Sequence, residues 1–184
     1  MAPTLPEPKA DAGVIYRHSV EALLDHVVRR RRLLTGAELR DLGLEKPRDL
    51  DKDTWERLLR TCARKLKPDG TEDEGLELLG AAMLEGYAAG FVGRSLFLVL
   101  KLMGPRRALL RMAENFKTAD NITEVTATAH AEKHVEMVFN DIGNMPTYMR
   151  GLLSTAMTML GAPKHEVTFA VLPNGHTKFD AKWS

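Results

Sequence analysis

Six histidines, one cysteine and a run of four arginines are the residues of this 184-residue chain best suited to chemistry. The spacing of each set bounds what that chemistry can be. His130 and His134 flank Ala131-Glu132-Lys133, which reads as a hairpin turn, so their rings can approach across two strands. Two imidazoles begin a zinc site, but a structural site takes four nitrogen or sulfur ligands, and no cysteine pair supplies the rest. They read instead as exposed polar residues of strands. His18, His26, His165 and His176 have no spacing that links them. Cys62 lies near Arg60, Arg64 and Lys65, which would lower a thiol pKa. Yet Leu58, Leu59, Cys62 and Leu66 share one apolar helical face, so a buried structural thiol is expected. There is no Gly-x-Ser-x-Gly elbow, phosphate-loop lysine or dinucleotide-binding spacing after a strand. The acidic pairs Asp49/Asp51 and Glu72/Asp73 fall in loops and first helical turns, where capping accounts for them. The expectation is a binding protein rather than an enzyme, with no metal and no cofactor.

The basic clusters bear on partners. Arg29, Arg30, Arg31 and Arg32 end a helical pattern, where cations complement the macrodipole. Arg106, Arg107 and Arg111 stand at a helix start, the unfavourable end for cations. An anion or acidic partner held by these arginines and the free N–H groups makes physical sense there. The chain as a whole balances 26 basic against 25 acidic residues, for a net charge of +1. Nucleic-acid affinity rests on an excess of Lys and Arg, so nucleic acid is not an expected partner. Met145, Met149, Met157 and Met159 gather on one helical segment, with Met83 upstream on a segment dotted with Gly75, Gly80 and Gly86. Methionine adapts to irregular partners, and interior glycines imply close helix packing. Met83, Tyr87, Met145, Met149 and Leu153 are therefore the candidate residues for a small apolar ligand.

Several elements must position these residues. Residues 1–12 are rich in Pro and charge and read as a disordered arm, not a signal peptide. Residues 13–184 read as one α+β domain. Gly13-Val-Ile-Tyr16 suggests a short strand, and from Ser19 the pattern turns helical, with Val20, Leu23, Leu24, Val27 and Val28 on one face. Capping-box spacing recurs at Thr35/Glu38, Asp53/Glu56 and Thr71/Glu74. The apolar run from Ser95 is stopped by Gly104-Pro105, far short of a membrane span. After Thr118 the period changes to two. Val125, Ala127 and Ala129 pair in pattern with Val135, Met137 and Phe139 as a hairpin. A helix over residues 145–160 follows, then Val167, Phe169 and Val171, Asn174-Gly175 as a two-residue turn, and Thr177, Phe179, Ala181 and Trp183. The fold class is thus a helical N-terminal two-thirds packed on a four-stranded antiparallel sheet, itself formed by a β–β–α–β–β C-terminal unit. One cysteine and no span point to a cytoplasmic protein.

This order resembles the superfamily of ligand-binding domains shared by heme–nitric-oxide-binding proteins, the four-vinyl-reductase domain and TRAPP core subunits. The residues that carry the likeness are Leu79-Gly80 through Gly93-Arg94, the helix start from Asn144 to Gly151, and the closing hairpin that ends Phe179-Asp-Ala-Lys-Trp183. Gly93-Arg94-Ser-Leu, Gly104-Pro105-Arg-Arg-Ala-Leu and Trp183 look more narrowly like a myxobacteria-restricted family of uncharacterised proteins. The resemblance implies a pocket between helices and sheet, or a surface for dimerisation. It does not imply an enzyme. Two features of the superfamily are missing: no Tyr-x-Ser-x-Arg stretch for heme propionates occurs, and Ser95 stands where the TRAPP branch carries an acylated cysteine. The functional expectation is a sensory or adaptor module for a small apolar ligand or a partner protein. A homodimeric scaffold is the alternative.

Overall fold

The computed structural model describes residues 13–116 and 119–184; the arm expected over residues 1–12 lies outside them. The N-terminal part alternates short strands and helices: β1 (Val14–Ile15), α1 (Arg17–Leu23), a π-helical turn (Leu24–Val28), α2 (Arg29–Arg31), α3 (Gly36–Asp41) and β2 (Leu50–Asp51). Four helices follow, α4 (Lys52–Leu66), α5 (Glu72–Ala89), α6 (Phe91–Met103) and α7 (Pro105–Asn115). The C-terminal unit is β3 (Val125–Ala131), β4 (His134–Phe139), α8 (Pro146–Met159), β5 (His165–Val171) and β6 (Thr177–Trp183). The expected α+β class and the hairpin–helix–hairpin ending are both present.

Local chemistry sets most helix boundaries. Thr35 accepts a hydrogen bond from the Glu38 N–H at 3.2 Å and Glu38 accepts one from the Thr35 N–H at 2.8 Å; Thr71 and Glu74 repeat the arrangement. Reciprocal caps of this kind satisfy two amide donors that the first helical turn leaves free. The third box is corrected. Asp51, not Asp53, caps α4, accepting from the Thr54 N–H at 2.8 Å. The reason is β2, a two-residue strand paired with β1, which delivers the chain into the helix two residues early. So short a strand has no alternation to read.

The four-stranded sheet is antiparallel in the order β3-β4-β6-β5. Val135, Met137 and Phe139 of β4 lie opposite Ala181, Phe179 and Thr177 of β6, and all six are buried. Phe139 is the hub, meeting Phe179 edge-on at 5.4 Å and Phe116 at 5.2 Å, the geometry aromatic quadrupoles favour. Two details differ from the pattern. Val171 was expected inside but is 64% exposed, because it ends an edge strand beyond the reach of the covering helix. The β5–β6 connection covers residues 172–176, and the Leu172 N–H donating to the His176 carbonyl leaves Pro173-Asn174-Gly175 as its tip. Only Gly175 takes positive φ there (+83°), so this is not a two-residue turn with both residues left-handed.

Two apolar cores result. The first gathers Val20, Leu23, Val27, Leu50, Leu58 and Leu59. The second lies under the sheet around Phe139, Phe179 and Leu153. Helices α5 and α8 belong to both: Leu79 and Met145 to the first, Leu84 and Met149 to the second. They cross at glycine. A Cβ on Gly80 would land on the Tyr148 carbonyl oxygen, and one on Gly151 would land on the Glu77 carbonyl oxygen. Beside the crossing, Arg150 donates to both carboxylate oxygens of Glu77 at 2.9 and 2.6 Å, and Thr147 donates to Asp73 at 3.1 Å. Among the described residues no single helix is long and apolar enough to cross a membrane. Replacing Gly80 or Gly151 with Val should cost roughly 3 kcal/mol or more, since backbone has to move to admit the side chain. Gly36→Ala, whose new methyl meets no atom within 4 Å, should be near neutral. Urea unfolding of the three variants measures both.

Candidate functional site

Where the two cores meet, they do not close. A gap of about 170 Å³ remains between α4, α5 and α8. Helix α4 supplies Trp55 and Leu59, which follow Leu58 and Cys62 around an amphipathic surface; α5 supplies Met83. The start of α8 supplies Met145, Tyr148, Met149 and Leu152. The remaining wall is loop. Residues 119–123 are strapped to β1 by Tyr16 N–H to the Ala119 carbonyl and Asn121 N–H to the Val14 carbonyl, each 3.1 Å. This places Ile122 in the lining of the gap together with Ile15 and Phe116. Residues 141–143, after β4, add Ile142.

Polar groups are few, and most are already committed. Asp120 accepts from the N–H groups of Ile122 and Thr123 at 2.8 and 2.6 Å and from the Thr123 hydroxyl at 3.0 Å. Ser19 donates its hydroxyl to the Ala119 carbonyl at 2.9 Å. The solvent-facing side is ionic. Lys52, 35% exposed, pairs with Asp141, 38% exposed, and lies 3.8 Å from Glu56. Burial alone would lower the Lys52 pKa and raise that of Asp141. Their mutual hydrogen bond and charge attraction together outweigh it, with the Gly143 N–H adding to the effect on Asp141, so Lys52 is held above and Asp141 below their ordinary values. Glu56 is different. Desolvation raises its carboxyl above the ordinary value, and it accepts no hydrogen bond from the described residues. Its carboxylate lies over Gly143, at φ +63°, where any side chain would run into it. Burial likewise raises the Tyr148 phenol.

Of the residues read from sequence as a ligand set, Met83, Met145 and Met149 line this gap. Tyr87 does not; it lies one turn further along α5, where its carbonyl accepts from the Gly90 N–H at 3.1 Å. Leu153 does not either, because α8 turns it fully into the sheet core. Lys52, Trp55, Glu56, Phe116, Ile142 and Tyr148 were not anticipated. The acidic-aromatic run Asp51 to Glu56 was a visible signal for the first three, since Trp55 at a helix start beside charges is an unusual core residue.

The other candidates separate. Arg106 and Arg107 line a second depression, of about 310 Å³, with Lys133, Glu132 and Trp183 at the start of α7, while Arg111 stands exposed away from it. The Arg106 Nε is buried with no hydrogen-bond partner among the described residues. The run at Arg29 to Arg32 is a helix end: Arg29 pairs with Asp25, Arg31 lies 3.7 Å from Glu85, and Arg32 turns left-handed at φ 52°. His130 and His134 do meet, 5.1 Å between ring centroids, but each faces a carboxylate, Glu136 at 3.5 Å and Asp180 at 2.8 Å. No group of three or more metal-ligating side chains occurs among the described residues. Cys62 is fully buried, and that burial pushes its thiol up to about 12.

Comparison with solved structures places the fold. A structure concerned with modulating heme redox potential through protein-induced porphyrin distortion superposes with a TM-score of 0.68 at 14% identity, over 92% of this chain and 95% of that one. An Fe(II) unliganded H-NOX protein mutant from K. algicida gives 0.61 at 12% identity, over 92% and 97%. An oxygen-binding H-NOX domain related to soluble guanylate cyclases gives 0.60 at 15% identity, over 90% and 91%. At these identities the likeness is one of fold. No curated protein sequence matches the chain. The match of a family model to residues 13–184 is the more direct result: the chain belongs to the DUF2378 family, described as a protein of unknown function.

Proposed function

We propose that this chain is a sensory or adaptor module that binds one small apolar molecule in the gap between α4, α5 and α8, without turning it over. The observation that carries the reading is an apolar gap at the seam of two cores, built by helices that belong to both. A guest there touches both halves at once. Filling the gap would favour whichever mutual packing of the cores makes the most contacts with the guest, which is how a ligand biases a two-state element. Binding without turnover is supported by the lining, which offers no histidine or cysteine and whose Ser19 hydroxyl is already bonded.

The structural neighbours named for heme raise the question of a porphyrin. The residues here do not fit one. None of the six histidines lines the gap, and a volume of about 170 Å³ is close to the roughly 150 Å³ of a dry engineered cavity that takes benzene. A tetrapyrrole needs several times that space. Hemin mixed with the purified protein and passed through a sizing column should leave no Soret absorbance co-eluting with the chain; a stoichiometric, sharpened Soret band would contradict this.

Benzene, by contrast, should raise the melting temperature. Ligand at a hundred times its Kd stabilises by about 2.7 kcal/mol, a shift of several degrees for a domain of this size. Leu152→Trp, which fills the gap, should remove that shift while keeping the fold by circular dichroism.

A second reading, self-association as a homodimer, is favoured by one observation. Leu98, Val99 and Leu102 form an exposed apolar stripe on α6, with Leu102 83% exposed. Light scattering that gives a dimer, reduced to monomer by Leu102→Glu, would support it; a concentration-independent monomer would end it.

A further inference from the structure

The gap is not neutral at its mouth, and this decides what kind of guest it takes. Its lining holds three carboxylates, Glu56, Asp120 and Asp141, against one ammonium, Lys52. They are not equally available. Asp120 is saturated by three donors from Ile122 and Thr123. Asp141 is taken by Lys52 and by the Gly143 N–H at 2.9 Å. Among the described residues Glu56 accepts no hydrogen bond: Lys52 lies 3.8 Å away, too long for one, and the Glu56 side chain is 22% exposed. A carboxylate partly out of water, with its acceptor sites unused, gains most from a new donor. Trp55, Tyr148 and Phe116 line the same gap, and aromatic faces attract cations. An anionic guest meets the opposite conditions. Among the described residues that line the gap, the one cation, Lys52, is already shared by two carboxylates.

Resting on the cavity reading above, we propose that the physiological guest is an amine: a single ring or short branched hydrocarbon seated among Met83, Met149 and Leu152, with its ammonium directed to Glu56 at the mouth. The hydrocarbon part supplies burial, and the charged end supplies selectivity. Lys52 and Asp141 then act as the rim that orients Glu56, which Gly143 accommodates by having no side chain.

The test uses three probes of nearly one shape on the full chain: benzylamine, benzyl alcohol and benzoate, titrated by calorimetry at pH 7. Benzylamine is expected to bind roughly tenfold more tightly than benzyl alcohol, the value of one charge-assisted hydrogen bond, with benzoate weakest. Glu56→Gln should bring benzylamine to within about threefold of benzyl alcohol, whose own affinity serves as the control for an intact cavity. If Glu56→Gln fails to fold, the native chain at falling pH replaces it. The benzylamine advantage should then vanish as Glu56 protonates, at a pH above the ordinary glutamate value because burial raises it. Lys52, Asp53, Arg60 and Asp141 are the charges facing it, and Asp141 stays ionised longer. Equal affinity for amine and alcohol, or tightest binding of benzoate, overturns the amine inference and leaves the cavity reading standing. No binding by any of the three overturns both.

Discussion

The contact on which the rest of the molecule depends is the crossing of α5 and α8. Gly80 receives the carbonyl of Tyr148 and Gly151 receives that of Glu77, so the two helices meet backbone to backbone. Glycine inside a helix costs on the order of 1 kcal/mol against alanine, and here two are spent at a single contact. What they obtain is position. With the axes drawn together, Leu79 and Met145 close the N-terminal core while Leu84 and Met149 close the sheet core. The bidentate Arg150–Glu77 pair and the Thr147–Asp73 hydrogen bond fix the helices against sliding along each other.

The same crossing explains why a gap persists. Bringing α5 and α8 together at glycine sets the spacing of everything on either side. On the α4 side that spacing is filled by long, separately anchored side chains: Trp55, Met83, Tyr148, Met149. The remaining walls are α4, whose start Asp51 caps, and a loop that Asp120 ties down. A well-packed interior normally tolerates few voids larger than a water molecule. One lined by methionines and rings, at the seam of two cores, is therefore a feature of how the halves are joined. It also puts the ionic trio of Lys52, Glu56 and Asp141 where α4 meets the loop after β4, so the chemistry of the mouth is set by the same junction.

The relation to H-NOX domains is a relation of architecture. What the two share is the arrangement of helices and sheet. None of the six histidines lines the gap, His134 being paired with Asp180 on the sheet, and the gap is walled mainly by methionine, aromatic and aliphatic side chains. A fold can be held while its site is rebuilt, because the elements are fixed by periodic burial and the site by a handful of residues that burial does not dictate.

Local interactions were legible in the residues themselves. The period-two pattern of Val135, Met137 and Phe139, the boxes at Thr35/Glu38 and Thr71/Glu74, and the break at Gly104-Pro105 each depend on neighbours a few positions apart. Where the pattern was too short it misled: β2 went unseen, and the cap of α4 was placed at Asp53 instead of Asp51. Val171 followed the alternation but ended on an edge. The candidate site was half legible. Methionine density pointed to Met83, Met145 and Met149, but which of their neighbours turn toward the gap is set by helix rotation about the glycine crossing. That is why Tyr87 and Leu153 fall outside it and Tyr148 and Leu152 inside. Glu56, Asp141 and Lys52 come from segments some ninety residues apart. Lys52 and Glu56 share an i,i+4 spacing on α4, but no spacing rule could join Asp141 to them. The sequence by itself determined the elements and the apolar character of the interior, because those are local and periodic. Only the tertiary structure decided that two cores would leave a space between them and that a nearly unpaired carboxylate would stand at its mouth, because both follow from contacts between residues remote in the chain.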